Sequence, residues 1–309
     1  MYEKYAENFL ESGRATEVKT YKTLIGKLEE FDKFILKWED EDLERFIKLL
    51  SSISVNSVNK YLQFTREFHK YVAEVENTEY KKLELLHDLK FYIDLDKLMS
   101  VTITHNHYKT LIRLLTIDLG GISYNNRDAA ILVLAWNSCD NADVKNLMKD
   151  DLKFYTLGGK EICKIRLKNR YVVIDDKEEI EILKRTLKEY KYFVTGSERK
   201  REHFLDLRET KAFIRPVQTN NSNKETVANP SELLSKALSK VETIPGTNLN
   251  LYEFSIESVK RSKIIDLLRR KDVDINDIKN ILGKSNSSDI YWLSQISVLM
   301  ERQLKQKGS

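Results

Sequence analysis

The stretch DIKNILGKSNSSDIYWL, residues 277–293, sets a tyrosine where it could attack. An apolar run ends at Leu282-Gly283, a polar Ser/Asn turn follows, and Tyr291 opens a second apolar segment. Such a hydroxyl can cleave a phosphodiester only where cationic donors hold the phosphate oxygens and a partner group manages the protons. Lys284 follows the glycine directly. Lys168 and Arg170 in KNR, and Lys260, Arg261 and Lys263 in VKRSK, are further cations that could serve. Other combinations carry less. THNHY at 104–108 offers two histidines at spacing two with no third ligand or acidic cluster, and Cys139 and Cys163 form no CxxC pattern, so metal, disulfide and thiol chemistry are set aside.

The elements that must hold these groups are mostly helical. TEVKTYKTLIGKLEEFDKFILKW (16–38) spaces its apolar residues by three and four, with Thr16 as an N-cap. Further helices are predicted over 41–52, 54–75 and about 79–91, closing a helical domain over residues 1–98. DLDKLMSVTIT (94–104) reads as a linker. Helices resume in HNHYKTLIRLLTIDLGG and NNRDAAILVLAWNS. Residues 151–175 alternate apolar and polar positions around Gly158-Gly159 and again around Lys168-Asn169, which predicts a three-stranded antiparallel sheet. Helices are then expected near 176–192, 206–214, 230–242, 254–271 and 274–282, with the Tyr291 segment running to about 304. The polar stretch 217–230 is expected to be a flexible loop.

Composition agrees with a helix-rich chain. Its 309 residues include only 3 prolines and 10 glycines, and 32% are charged. No long apolar run or apolar leader is present, so a cytoplasmic protein without a membrane partner is expected. The net charge of +4 is uneven: residues 1–100 hold 16 Lys+Arg against 20 Asp+Glu, and the remainder 36 against 28. The later two-thirds is therefore the better candidate for a polyanion.

This order of parts, from about residue 14 to 304, resembles the tyrosine recombinase (phage integrase) family: a helical core-binding domain, RDAAILVLAWNSCDNADVKNLMKDDL, a three-stranded sheet with a hairpin lysine, a late helix, LGK and DIYWL. The resemblance implies a mainly α clamp with a small antiparallel sheet, a SAM-like DNA-binding domain over 1–98 and a catalytic-like domain over 99–309. It also implies where catalysis should sit. Asp143, Leu147 and Asp151 match the later positions of the first arginine motif, but the arginine position holds Asp140. Where the family has His-x-Leu-Arg-His, this chain has Glu257-Ser258-Val259-Lys260-Arg261, and Lys284 stands for the histidine after Leu-Gly. Lys168 matches the hairpin lysine, and Tyr291 comes about two residues early.

A carboxylate facing the scissile phosphate exchanges attraction for repulsion, worth several kcal/mol at about 4 Å and an effective dielectric of about 20. Lysine also lacks the bidentate fork of arginine. The expectation is a chain that binds DNA without cutting it, with Tyr291 serving packing or hydrogen bonding. DNA contacts are expected from Asn59, Lys60, Gln63 and Arg66 on the helix at 54–75, from Ser235, Lys236 and Lys240 on the helix at 230–242, and from Lys168, Arg170, Lys260, Arg261, Lys263 and Lys284. The implied role is a repressor that maintains prophage lysogeny. Its partners would be a double-stranded DNA operator, other copies on that DNA, and a protein or peptide antirepressor; no cofactor is required. Two readings compete. One is an active, divergent integrase using Tyr291, with Arg127, Arg261 and Arg269 as its arginines, and the other a helical interaction module.

Overall fold

The run RDAAILVLAW has no polar stripe, so a helix built from it must be surrounded on all sides. In the computed structural model, which describes residues 2–12, 18–195, 201–218, 225–241, 244, 247–270, 273–282 and 288–307, it is such a helix: every residue of α7 (Asn126–Trp136) is buried. Its first amides are satisfied by one carboxylate. Glu189 accepts from the N–H of Asn126 and of Arg127, each at 2.9 Å, at the positive end of the helix.

The chain divides into two compact units, Met1–Leu98 with Arg302–Ser309, and Met99–Glu301. The first holds α1 (Glu3–Glu11), α2 (Val18–Glu29), α3 (Asp40–Leu49), α4 (Val55–Val75) and α5 (Leu95–Ser100). Its centre is aromatic. Phe9 meets Phe68 edge-on at 5.1 Å between ring centres, Phe64 stacks on Phe68 at 5.8 Å, and Trp38 lies 5.2 Å from Phe46. Ser54 caps α4 by accepting from Ser57 N–H.

Here the sequence reading needs correction. Helix α1 was not foreseen, although its Tyr5 and Phe9 are buried. The predicted helix over 16–38 stops at Glu29 and gives only a short 3₁₀ turn at Ile35–Lys37, and Thr16 lies outside the described residues. Residues 79–88 form no helix. That segment is tied down through its backbone instead: the Leu83 carbonyl accepts from Arg66 Nε at 2.8 Å, and Leu86 N–H donates to Glu44 at 3.0 Å. The expected linker carries α5.

The second unit runs α6 (His105–Leu115), β1 (Ile117–Leu119), β2 (Ile122–Tyr124), α7, α8 (Asn141–Asn146), β3 (Leu152–Leu157), β4 (Lys160–Arg166), β5 (Tyr171–Ile174), α9 (Lys177–Lys188), β6 (Lys191–Val194), β7 (His203–Asp206), α10 (Pro230–Leu238), α11 (Ile256–Leu268), α12 (Ile275–Leu282) and α13 (Ser288–Lys307) as far as Glu301, the rest of α13 counting with the first unit. β3, β4 and β5 form the expected antiparallel sheet, with Lys153 opposite Lys164 and Arg166 opposite Tyr171. Gly158 and Gly159 both adopt positive φ in its first turn, a conformation glycine reaches without steric cost. The hairpin β1–β2, turned by Gly120-Gly121, was not expected. Nor is 206–214 a helix: its amides pair across the chain, Leu207 N–H to Tyr190 and Phe213 N–H to Leu147. Part of the expected 217–230 loop, residues 219–224, lies outside the described residues. Among the described residues no helix is long and apolar enough to cross a membrane.

Candidate nucleic-acid interface

Asp140 precedes the polar start of α8 and behaves as such residues do at a helix N-terminus. Its carboxylate accepts from Asp143 N–H at 2.8 Å, while Asp143 accepts from Asp140 N–H at 3.1 Å, a closed capping box. The next cation belongs to the β4–β5 hairpin. One guanidinium nitrogen of Arg170 donates to the Ser138 carbonyl at 2.6 Å and to Asp143 at 3.1 Å. Lys260, on α11, is buried to 8% exposure and donates to Glu257 one turn earlier, at 3.3 Å. Asp143, Asp140, Arg170 and Lys260 all act electrostatically on the buried thiol of Cys139. Burial pushes that thiol up to about 12, Asp143 and Asp140 add to the rise, and Arg170 and Lys260 oppose it.

Asp140, Arg170 and Lys260 act on one thiol and Glu257 pairs with Lys260, but the two cations are already matched by Asp143 and Glu257. Arg170 and Lys260 are not open cations. Lys263 corrects the expectation further. It turns inward over the Trp136 ring, 4.9 Å from its centre, and burial lowers its pKa. Arg261 is half-buried on the same helix. Arg127 has a structural post, bonding Asp128 at 3.1 Å and the Arg215 carbonyl at 3.2 Å. Lys168 stands exposed at the hairpin tip, whereas Lys284 lies outside the described residues.

Helix α10 packs its serines and exposes its lysine. Ser235 donates to the Tyr252 carbonyl at 2.9 Å, and Ser231 accepts from Ile256 N–H at 3.1 Å, so Ser235 is a packing residue and not a free contact. Lys236 is exposed with Glu232 one turn away at 2.5 Å. Lys240 lies just past the helix, exposed, 5.9 Å from the Tyr192 ring. On α4, Val58, Leu62, Phe68 and Val72 go inward, leaving Asn56, Asn59, Lys60 and Gln63 along one solvent-facing stripe. Arg66 is taken from that set by its bond to the Leu83 carbonyl.

Tyr291 sits in the first turns of α13. Its neighbour Ile290 docks against Ile264 and Leu267 of α11 and Ile278 of α12. The tyrosine itself, of which packing or hydrogen bonding was expected, is 54% exposed, its ring edge-on to Trp292 at 5.9 Å. The sequence reading also missed a groove of about 760 Å³ between Lys149 and the segment Arg208–Lys211, closed by Lys149 N–H donating to the Lys211 carbonyl at 2.9 Å. Its walls mix Lys149, Arg208 and Lys211 with Asp150, Glu209 and Glu225, and an expected helix at 206–214 hid it. His107 and Thr104 cap α6 reciprocally, and among the described residues no group of side chains could hold a metal ion.

This arrangement, a helical unit followed by a helical unit with a three-stranded sheet, is a mainly α, two-domain, tyrosine-recombinase-like fold. The XerH site-specific recombinase bound to palindromic difH substrate, a post-cleavage complex, matches 98% of this chain and 83% of its own at 12% identity and a TM-score of 0.51. XerA recombinase matches 100% and 99% at 16% identity and 0.39, and the Tn1549 transposon integrase in complex with circular intermediate DNA matches 93% and 93% at 13% identity and 0.47. The sequence matches no family model and no curated protein.

Proposed function

We propose that this chain is a sequence-specific, double-stranded DNA-binding repressor built on a recombinase-like fold, holding operator DNA without cleaving it. The observation that carries the reading is the engagement of Arg170 by Ser138 and Asp143 beside Asp140, where a recombinase would need a guanidinium free for the phosphate. The exposed set Asn59, Lys60, Gln63, Lys168, Lys236 and Lys240 supplies the amide and cationic groups that duplex recognition uses. Maintenance of lysogeny is the role we assign, by analogy with the lysogeny repressor of SPβ-type Bacillus prophages, YopR. Self-association on DNA and release by a protein or peptide antirepressor belong to the same reading.

One observation favours the enzyme alternative: Tyr291 is exposed at the start of its helix, as a nucleophile would need to be. A nicked suicide duplex, incubated with the full chain and resolved by denaturing electrophoresis, separates the two. The expected outcome is no covalent adduct; a shifted band that disappears in Tyr291→Phe would establish a divergent recombinase. Binding itself is tested by salt. If about six phosphates are neutralised, affinity for duplex DNA falls by orders of magnitude between about 50 and 200 mM salt. A flat isotherm would remove the DNA reading altogether.

A further inference from the structure

The sheet β3–β4–β5 has two unlike faces. Leu152, Cys163, Ile165, Val172 and Ile174 are buried on the side that α9 covers. The other side is open among the described residues. There Tyr155 is 50% exposed, Leu157 71%, Tyr171 58% and Val173 58%. An ordinary solvated sheet face alternates toward polar residues, so large side chains of this kind on both outer strands, with half-buried Ile162 between them on β4, need a reason.

Charge narrows the reason. No outward-pointing position of the three strands is acidic, and Lys153 lies directly opposite Lys164, with Arg166 two residues further along β4. Like charges facing each other across a strand pair destabilise a sheet, which an anionic partner would offset. Lys164 also spans the Tyr171 ring at 4.2 Å, and the acids nearest in sequence flank the strands: Asp151 binds Arg166 at 2.7 Å, and Asp175 follows β5. Face-to-face pairing of two copies would set lysine against lysine, so a second copy does not fit in that way. A nucleic acid strand would use the lysines and tyrosines but leave Leu157 and Val173 without a purpose. An acidic amphipathic protein segment uses both sets, its carboxylates on the Lys153–Lys164 pair and its apolar stripe on Tyr155, Leu157 and Val173.

We infer that the outer face of this sheet is a docking surface for an acidic, amphipathic segment of another protein. The inference does not rest on the DNA reading, since none of its residues belongs to the proposed DNA contacts.

The test uses the full chain with three probes: an 18-residue peptide carrying leucines at helical three-to-four spacing and glutamates elsewhere, its lysine counterpart, and a single-stranded oligothymidine. Hydrogen exchange of the sheet amides and fluorescence anisotropy are read for each. The acidic peptide should bind in a salt-sensitive way and protect β3 to β5, while the lysine peptide should not. Lys164→Glu and Tyr171→Ser should each weaken that binding by about tenfold or more, the scale of one lost interface anchor, with duplex DNA binding unchanged and, for Lys164→Glu, which removes the repulsion from Lys153, no loss of melting temperature. Absence of acidic-peptide binding, binding that both substitutions leave intact, or protection of the sheet by oligothymidine in place of the peptide would overturn the proposal.

Discussion

The cluster around Cys139 and the stripe along α4 are made from the same kinds of polar residue and use them in opposite ways. Around Cys139, Arg170 and Lys260 are absorbed by Ser138, Asp143 and Glu257, so their charges stabilise the protein's own turns. Along α4, Asn59 and Gln63 project from a helix whose apolar side is already packed. A charge counted in a sequence is available to a ligand only if the fold has not spent it. Net charge is therefore a weak guide to where a polyanion binds, and the inventory of local partners is a better one.

The comparison can be broken by substitution. The largest effect is expected on binding: Asn59→Ala with Gln63→Ala should lose about 1–3 kcal/mol for each base contact removed, read as relaxed preference among duplexes. The same double variant should change unfolding free energy by no more than about 0.5 kcal/mol, as exposed positions do. Should it unfold the protein instead, the stripe is structural. In the other region the pattern reverses. Arg170→Met should destabilise the second unit by about 1–3 kcal/mol in chemical denaturation, because Ser138 and Asp143 lose a charge-assisted partner in a site where the arginine side chain is 24% exposed. Asp140→Ala should cost about 1 kcal/mol through loss of the α8 cap, and Asp140→Asn less.

The gentlest test is pH. Burial lowers the pKa of His69 from 6.5, so the folded state resists a proton that the unfolded chain accepts. Stability present above about 6.5 is therefore lost as pH falls, at no more than about 1.4 kcal/mol per pH unit for this histidine. His105 and His107 are also lowered by burial and act in the same direction. His69→Phe should shallow that slope, measured as melting temperature between pH 5 and 7, without altering duplex binding at pH 7. An unchanged slope would remove His69 from the acid response.

Some of this was legible in the residues. The three-stranded sheet followed from alternation and Gly158-Gly159, α4 from its apolar spacing and α7 from an unbroken apolar run, since in each case the local signal and the tertiary demand agree. The segment 79–88 shows the opposite. Leu83, Leu85, Leu86 and Leu89 have near-helical spacing, yet Leu86 is 56% exposed and the segment is held by Arg66 and Glu44, partners far away in sequence. The candidate site was legible as a set of positions, not as a set of available charges. That Arg170 reaches back 32 residues to Ser138 follows from the hairpin meeting the chain just past α7, and that Lys263 turns onto Trp136 from α11 packing on α7.

Cys139 gives this region an intrinsic clock. A thiol held up at about 12 stays protonated at neutral pH, and only the thiolate reacts readily with oxidants or alkylating reagents. Oxidising conditions should pass the folded protein by. The thiol becomes reactive only when the turn before α8 opens, so its rate of modification counts those openings. Arg170, Asp143 and Lys260 then act as the latch whose release Cys139 can time, its labelling read apart from that of the likewise buried Cys163.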